Sequence, residues 1–534
     1  MITATPQIMK RPLASLSPSS DDSPALKKSK ADAKFLPNKI ATAENAAKAD
    51  ASPPMLKLLN AVQAVVLPAE GDCVVYWMRM EDMRIRDNRA LALASAQAQR
   101  NGVPLLVLFV LSPQDYIAHD RSARRIDFTL RNLRCIKWNA SHVFGNIEYE
   151  VDELRRDIAM CEIAQEYGKL ACIFVHDKCI VPPGDVRTKE GRGYTVYSPF
   201  LRVWAPVLEK ASSHHLDEAP LPKPNNASVR KHEAFRNLFN AEVPGEVEGF
   251  KLDSDEQDRI STFWPAGEDA AHQATRASQH GAVDPLSKGA TEADPTKKSR
   301  LGKYKDARDR MDADTTSRLS PYLAAGVISA RACVREALRA SGKKKLDVSR
   351  DTGVGRWIQE LAWRDFYTHI VALFPRVSMG RPFQEKYADV RWETNPDHLQ
   401  AWKDGRTGVP IVDAAMRQAR TMGWMHNRAR MIAAMYLVKD LMIDWRLGEK
   451  YFMETLIDGD LASNNGGWQW SASTGVDPAP YFRIFNPYTQ SQKADPGGEY
   501  IRHFVPELSK VRGSVNHKEA RERAIYRYKN IGAK

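Results

Sequence analysis

The stretch from 421 to 477, TMGWMHNRARMIAAMYLVKDLMIDWRLGEKYFMETLIDGDLASNNGGWQWSASTGVD, gathers groups that can build a binding pocket. It carries four indoles (Trp424, Trp445, Trp468, Trp470), an Asn427-Arg428 pair, two carboxylates at Asp458 and Asp460, and an Asn464-Asn465-Gly466-Gly467 turn. An indole buries a large area and its N–H wants an acceptor, so four of them among so many polar groups suggest a lined pocket rather than plain core. Asp458 and Asp460 are not spaced like a metal cage and no His/Cys cluster lies near them, so no metal site is expected.

Two earlier stretches have the same character. TTSRLSPY, residues 315–322, places hydroxyls beside Arg318, a combination that satisfies phosphate oxygens near a helix start, although Ser/Thr clusters there are more often simple caps. In RWIQELAWRDFY, Trp357, Glu360, Trp363 and Arg364 recur at steps of three and four and so share one helix face. A Glu and an Arg on that face argue against a dry core, because buried charges need partners.

These groups need rigid elements to hold them. From 301 to about 510 the chain is helical in character: GVGRWIQELAWRDFYTHIVALFP ends at a Pro, and VPIVDAAMRQARTM and HNRARMIAAMYLVKDLMIDW are amphipathic helices split by Gly423. An all-α domain with a concave centre follows. Before it, CVVYWM and VPLLVLFVLS read as buried strands flanking a loop and an amphipathic helix, which argues for a parallel α/β layer over residues 70–204. Residues 205–300 read as an interdomain linker and 511–534 as a C-terminal tail. Residues 1–69 form a tail whose first 60 or so are rich in Ala, Ser, Pro and Lys and predict disorder, with basic clusters at Lys10-Arg11 and Lys27-Lys28-Ser29-Lys30.

Of the 534 residues 43% are hydrophobic, and no apolar run is long enough for a membrane span. The net charge of +12 suits a polyanionic partner, since Lys and Arg release the counterions condensed on phosphates. Six Cys without a C-x-x-C pair suggest a reducing compartment.

WMHNRARM, LIDGDLASNNGGWQW and DPAPYFRIFNP together resemble the flavin-binding catalytic domain of the photolyase/cryptochrome family, in particular its class I cyclobutane pyrimidine dimer photolyases. The resemblance runs from about 304 to 508. It implies a noncovalently bound FAD, held by Tyr304, Thr316, Ser317, Leu319 and Ser320 at the pyrophosphate, by an Arg430–Asp458 pair and Asp460, and by Asn464 facing flavin N5. A neutral amide there favours an anionic reduced flavin that a carboxylate would repel. Glu360, Asn427 and Met431 would line the lesion pocket, Trp363 would stack on the dimer, and Arg308, Arg364, Arg428 and Trp470 would contact DNA. Trp392, Trp445 and Trp468 correspond to the family's electron-transfer chain. The implied reaction is electron transfer from photoexcited reduced FAD to the dimer, ring opening, and return of the electron. No nucleophile or acid/base pair is required when the cofactor does the hard step.

The family's N-terminal domain is Rossmann-like, and Trp77-Met-Arg79, Arg84 and Asp87-Asn88 follow its opening phrase. It carries an antenna there, 5,10-methenyltetrahydrofolate or a deazaflavin; His119 and Glu153 match folate-holding positions, while Asp152 replaces an Asn and Ser378-Met379 stand where a basic contact is common. After DFTLRNLRC (127–135) the chain passes almost directly to WNASHVFGN, so a strand and helix usual in the family are expected to be absent, and either neighbouring elements rearrange or a segment has been lost from the sequence. The expectation is therefore an α/β Rossmann-like domain plus an all-α FAD domain, acting as a nuclear monomer on dimer-containing DNA, with a mitochondrial address as the weaker option. The alternative is a cryptochrome-like photoreceptor, disfavoured by Asn464 and the GGWQW segment.

Overall fold

The computed structural model describes residues 40–63, 71–112, 142–167, 170–231, 243–280, 299–342, 345–510 and 517–529, with single positions 117, 120 and 124. The basic clusters at 10–11 and 27–30, and His119, lie outside the described residues.

The short apolar run VVYWM makes β1 (Val74–Met78), in which Val74, Tyr76 and Met78 are buried and Val75 and Trp77 half-buried. It pairs in parallel with β2 (Leu105–Phe109) on one side and β3 (Val143–Asn146) on the other. β3 pairs in parallel with β4 (Cys172–Val175), giving the order β2-β1-β3-β4. The crossover helices are α3 (Arg89–Asn101), capped by the Asn88 side chain on Leu91 N, and α4 (Val151–Tyr167). The shortened stretch after residue 135 lies largely outside the described residues. Among those described, β2 forms a sheet edge where Leu108 is 49% exposed, an unusual state for a parallel strand.

Two expectations about the connections need correction. Residues 43–63 are not disordered: they form α1 (Ala43–Ala51) and α2 (Pro54–Gln63), and Met55 and Leu58 are fully buried beneath α2, which packs on α4. Apolar residues at 55, 58, 59 and 62 make a helix face that the average composition of the tail conceals. Nor is 205–300 only a linker. α5 (Tyr197–Lys210) runs across the expected boundary, and α6 (Ser254–Phe263) and α7 (Glu268–His280) follow. Ile260 and Trp264 are buried, and the Trp264 indole donates to the Met422 carbonyl at 2.8 Å.

The helical part comprises α8 (Arg300–Ala307), α9 (Ser320–Ala324), α10 (Ala330–Ser341), α11 (Gly353–Leu373), α12 (Pro396–Asp404), α13 (Pro410–Met422), α14 (Asn427–Met435), α15 (Trp445–Thr455), α16 (Leu461–Ala472) and α17 (His517–Lys529), with shorter turns between them. Thr352 caps α11, and α13 ends at Gly423 with φ +62, a conformation that suits glycine. The single long helix expected from His426 breaks instead into α14 and a π-helical turn at Tyr436–Asp440. The Asn464–Gly467 segment is also not a turn. It lies inside α16, which begins where Asp460 accepts from Ser463 N at 2.8 Å. The glycines serve close packing: a Cβ on Gly466 would stand 2.2 Å from the Tyr367 ring, and one on Gly448 of α15 would stand 2.1 Å from Trp468.

Buried ion pairs tie the sheet layer to the helices. Arg331 of α10 reaches Asp177 at 2.7 Å and Asp87 at 3.1 Å, while Asp365 of α11 accepts from the backbone of Ile180 and Val181 and from the Trp204 indole at 3.0–3.1 Å. Removing one member of such a buried pair typically costs ~3–5 kcal/mol, so these contacts fix the docking of the α/β layer on the helical domain.

Candidate active site

A cavity of about 510 Å³ opens in the helical domain. Tyr304 and Arg308 reach it from the end of α8, and Thr316, Ser317, Leu319 and Ser320 from the loop entering α9. α11 contributes Glu360, Trp363 and Arg364; α14 contributes Asn427, Arg430 and Met431; and the stretch from Asp458 through α16 contributes Asp458, Asp460, Asn464, Trp468 and Trp470. Residues named from widely separated motifs therefore share one space.

Its inner wall is ordered by polar contacts. Arg430 Nη2 lies 2.6 Å from Asp458 Oδ2, and its Nε donates to the Met425 carbonyl at 2.8 Å. Asp458 Oδ1 is buried without a protein partner. Burial alone would raise the Asp460 carboxyl, but Lys178, 3.1 Å away, and Arg364 more than reverse this and hold it well below the usual range. Asn464, which lines the cavity, donates from Nδ2 to the Glu449 carbonyl at 2.9 Å. Ser320 Oγ accepts from the Trp424 indole at 3.0 Å, so this hydroxyl also braces the loop.

At the mouth, Arg308 is ion-paired with Glu360, and Arg428 Nη2 lies 2.8 Å from Asp309. Burial pushes the Glu360 carboxyl up, with Arg308 and Arg356 opposing. Asn427 Nδ2 lies 3.9 Å from Met431 Sδ. Arg364 lines the cavity and braces its wall: its Nη1 donates to the Lys178 carbonyl at 2.7 Å and its Nη2 to the Leu323 carbonyl at 3.2 Å.

The three tryptophans that the family resemblance assigns to electron transfer separate in depth. Trp468 is buried at the cavity wall, its indole N–H without an acceptor, in edge contact with Phe452 at 4.9 Å and Trp402 at 5.9 Å. Trp445 is buried under the Arg446 guanidinium at 4.7 Å and does not line the cavity. Trp392 is half-buried and meets Tyr528 of α17 at 6.2 Å. On the α/β side, Glu153 sits in the first turn of α4, and the Met379 carbonyl accepts from Ala41 N at 3.1 Å.

Lys178 and Glu449 were not foreseen. Lys178 follows β4 and bridges Glu81 at 2.7 Å to Asp460 across the two layers, whereas Glu449 acts through its backbone, which no residue type announces. Among the described residues no group of His, Cys, Asp and Glu could hold a metal ion, and no helix is long and apolar enough to cross a membrane.

Comparison with known proteins agrees with this geometry. Residues 357–531 match the FAD binding domain of DNA photolyase, and 74–139 and 134–225 match the DNA photolyase domain in two pieces. The deoxyribodipyrimidine photo-lyase of Neurospora crassa is 43% identical, over 89% of this chain and 80% of its own length. That of Escherichia coli is 37% identical, over 83% and 90%. A bacterial class III photolyase from Agrobacterium tumefaciens superposes with TM-score 0.67 at 28% identity, covering 88% of this chain and all of that one. The α/β layer, the helical domain and these matches together place the chain in the DNA photolyase family.

Proposed function

We propose that this chain is a light-dependent DNA repair lyase that holds FAD in the helical cavity and splits cyclobutane pyrimidine dimers. The observation that carries this reading is the meeting of Glu360, Trp363 and Asn427 at the mouth of the same cavity whose inner wall holds Asp458, Asn464 and Trp468.

The residues fit the cofactor. Asp458 Oδ1, buried and without a protein partner, would accept from the ligand; Thr316, Ser317 and Ser320 line the same cavity and would give a pyrophosphate neutral hydroxyl donors; and Asn464 would offer a neutral amide. When bound and reduced, FAD supplies the photoexcited electron and takes it back. The chain's own task is to bind, orient and exclude water. Arg308 and Arg428 hold backbone phosphates on either side of an extruded lesion, and Trp363 stacks on its pyrimidines. Glu360 exchanges its ion pair with Arg308 for a hydrogen bond to the dimer carbonyls; the desolvation that raises its pKa favours the protonated, donating form. Extrusion costs a few kcal/mol and costs least where the dimer has already weakened stacking, which supplies selectivity for damage.

An antenna, 5,10-methenyltetrahydrofolate, is assigned to the α/β side at Glu153, and the basic clusters at 10–11 and 27–30 to nuclear import. Absorbance of the purified protein and imaging of a fluorescent fusion test these two assignments. The repair assignment is tested with chemically reduced protein and a thymine-dimer oligonucleotide: dimers should disappear in blue light and persist in darkness. FAD bound and photoreducible with no dimer loss would favour a photoreceptor instead.

A further inference from the structure

Trp363 is half-buried on α11 and lines the cavity mouth. The ring of Tyr197, the first residue of α5, lies 3.5 Å from its indole, centroid to centroid, with the planes within 8° of parallel. Tyr197 is itself buried and takes no part in the cavity wall, so it covers the indole face turned away from the cavity. Phe366 stands edge-on to both rings, at 5.7 Å from Trp363 and 5.8 Å from Tyr197. The tyrosine is anchored at both ends: its hydroxyl donates to the Gln359 carbonyl at 2.9 Å, and its backbone N–H donates to Asp477 Oδ2 at 3.2 Å.

We propose that Tyr197 is a positioning residue for lesion recognition: it backs the Trp363 indole and fixes its plane, so that the exposed face meets the extruded pyrimidines already oriented. An indole on a half-exposed helix face would otherwise lose rotamer freedom on binding, and that ordering would be subtracted from the stacking energy. The Tyr197 ring removes this cost before DNA arrives, and Phe366 blocks sideways rotation. The anchors give the device a second property. Because Tyr197 begins α5 and Asp477 follows α16, while Gln359 and Phe366 belong to α11, the platform is set jointly by the helix that carries Trp363 and by elements outside it. This inference rests on the repair reading.

The test measures the affinity of full-length, FAD-loaded protein in darkness for an oligonucleotide containing one thymine dimer and for the same undamaged sequence. Tyr197→Leu should weaken dimer binding about three- to tenfold, the size of one aromatic pair, while leaving undamaged DNA and flavin content unchanged. Tyr197→Phe keeps the ring and should retain wild-type discrimination within about twofold. If the Leu variant loses flavin, Tyr197→Met supplies a longer, more adaptable non-aromatic side chain and should show the same selective loss. Intact discrimination in a non-aromatic variant, or equal weakening on both DNAs, would overturn the proposal alone. Equal wild-type affinity for both DNAs would overturn the repair reading and this proposal with it.

Discussion

Asn464 donates its side-chain N–H to the backbone carbonyl of Glu449 at 2.9 Å, which pins the amide at the cavity wall. Asn464→Asp removes this donor and places a carboxylate beside the reduced flavin. Flavin binding should survive, but the two-electron midpoint potential should fall by about 30–60 mV, equivalent to ~1.4–2.8 kcal/mol. Spectroelectrochemical titration of the bound flavin measures this, and an unchanged potential would show that the amide does not face the redox centre.

Glu449 itself yields a pH prediction. Burial raises its carboxyl from 4.5 to about 7, with the hydrogen bond from Asn465 at 2.8 Å opposing the rise. A raised carboxyl costs the folded state progressively as pH climbs from 4.5 to about 7, and the cost is complete above that. Glu449→Gln keeps the acceptor for Asn465 and removes the charge. Its stability gain over wild type should be near zero around pH 4.5 and reach ~2 kcal/mol at pH 8 after discounting for partial exposure. Thermal denaturation at several pH values checks this; a gain independent of pH would contradict it.

Arg430 neutralises a carboxylate that is buried against the cavity, with Nη2 at 2.6 Å from Asp458. Arg430→Ala leaves that charge uncompensated and should cost ~2–4 kcal/mol of stability together with most of the copurifying flavin. Arg430→Lys restores a point charge without the fork geometry and should recover only part of both. Flavin-to-protein absorbance ratio and denaturation midpoints supply the readouts.

At the mouth, Glu360→Ala and Asn427→Ala should leave flavin content intact. Repair per absorbed photon should fall by about tenfold or more, the scale of one lost hydrogen bond to a charged or electron-rich group. Loss of flavin in parallel with repair would place these residues in the inner wall instead.

Trp468 lies at the cavity wall with its indole N–H unpartnered, in contact with Phe452 and Trp402. Trp468→Phe should slow photoreduction of oxidised FAD at least tenfold and spare repair by pre-reduced protein, since the chain to Trp392 is needed only to reduce the flavin. Photoreduction at the wild-type rate would remove Trp468 from that role.

The sheet strands and the long helices were legible because apolar runs and helical spacing declared them: CVVYWM and VPLLVLFVLS read as strands, and Gly423 stops α13. The cavity residues were legible through the family resemblance, which brought Tyr304, Glu360, Asn427 and Asp458 to one place that spacing alone could not. What escaped was written in tertiary contacts. The Asn464–Gly467 run has turn composition, yet Asp460 caps it as a helix and Gly466 makes room for Tyr367. Arg364 braces the cavity wall through the Lys178 and Leu323 carbonyls, contacts that its residue type does not announce. α1 and α2 were hidden in a tail of disordered composition: α2 is held by burial of Met55 and Leu58 against α4, and α1 by its packing on the turn at Pro375–Val377, where Asp50 pairs with Arg376.

The wavelength dependence of dimer loss tests the central claim most directly. With chemically reduced protein and a single-dimer oligonucleotide, the account predicts repair that tracks the absorption of the bound reduced flavin and antenna, stops in darkness, and drops in Glu360→Ala at equal flavin content. Dimer loss without light, or none at wavelengths the reduced flavin absorbs, would contradict it.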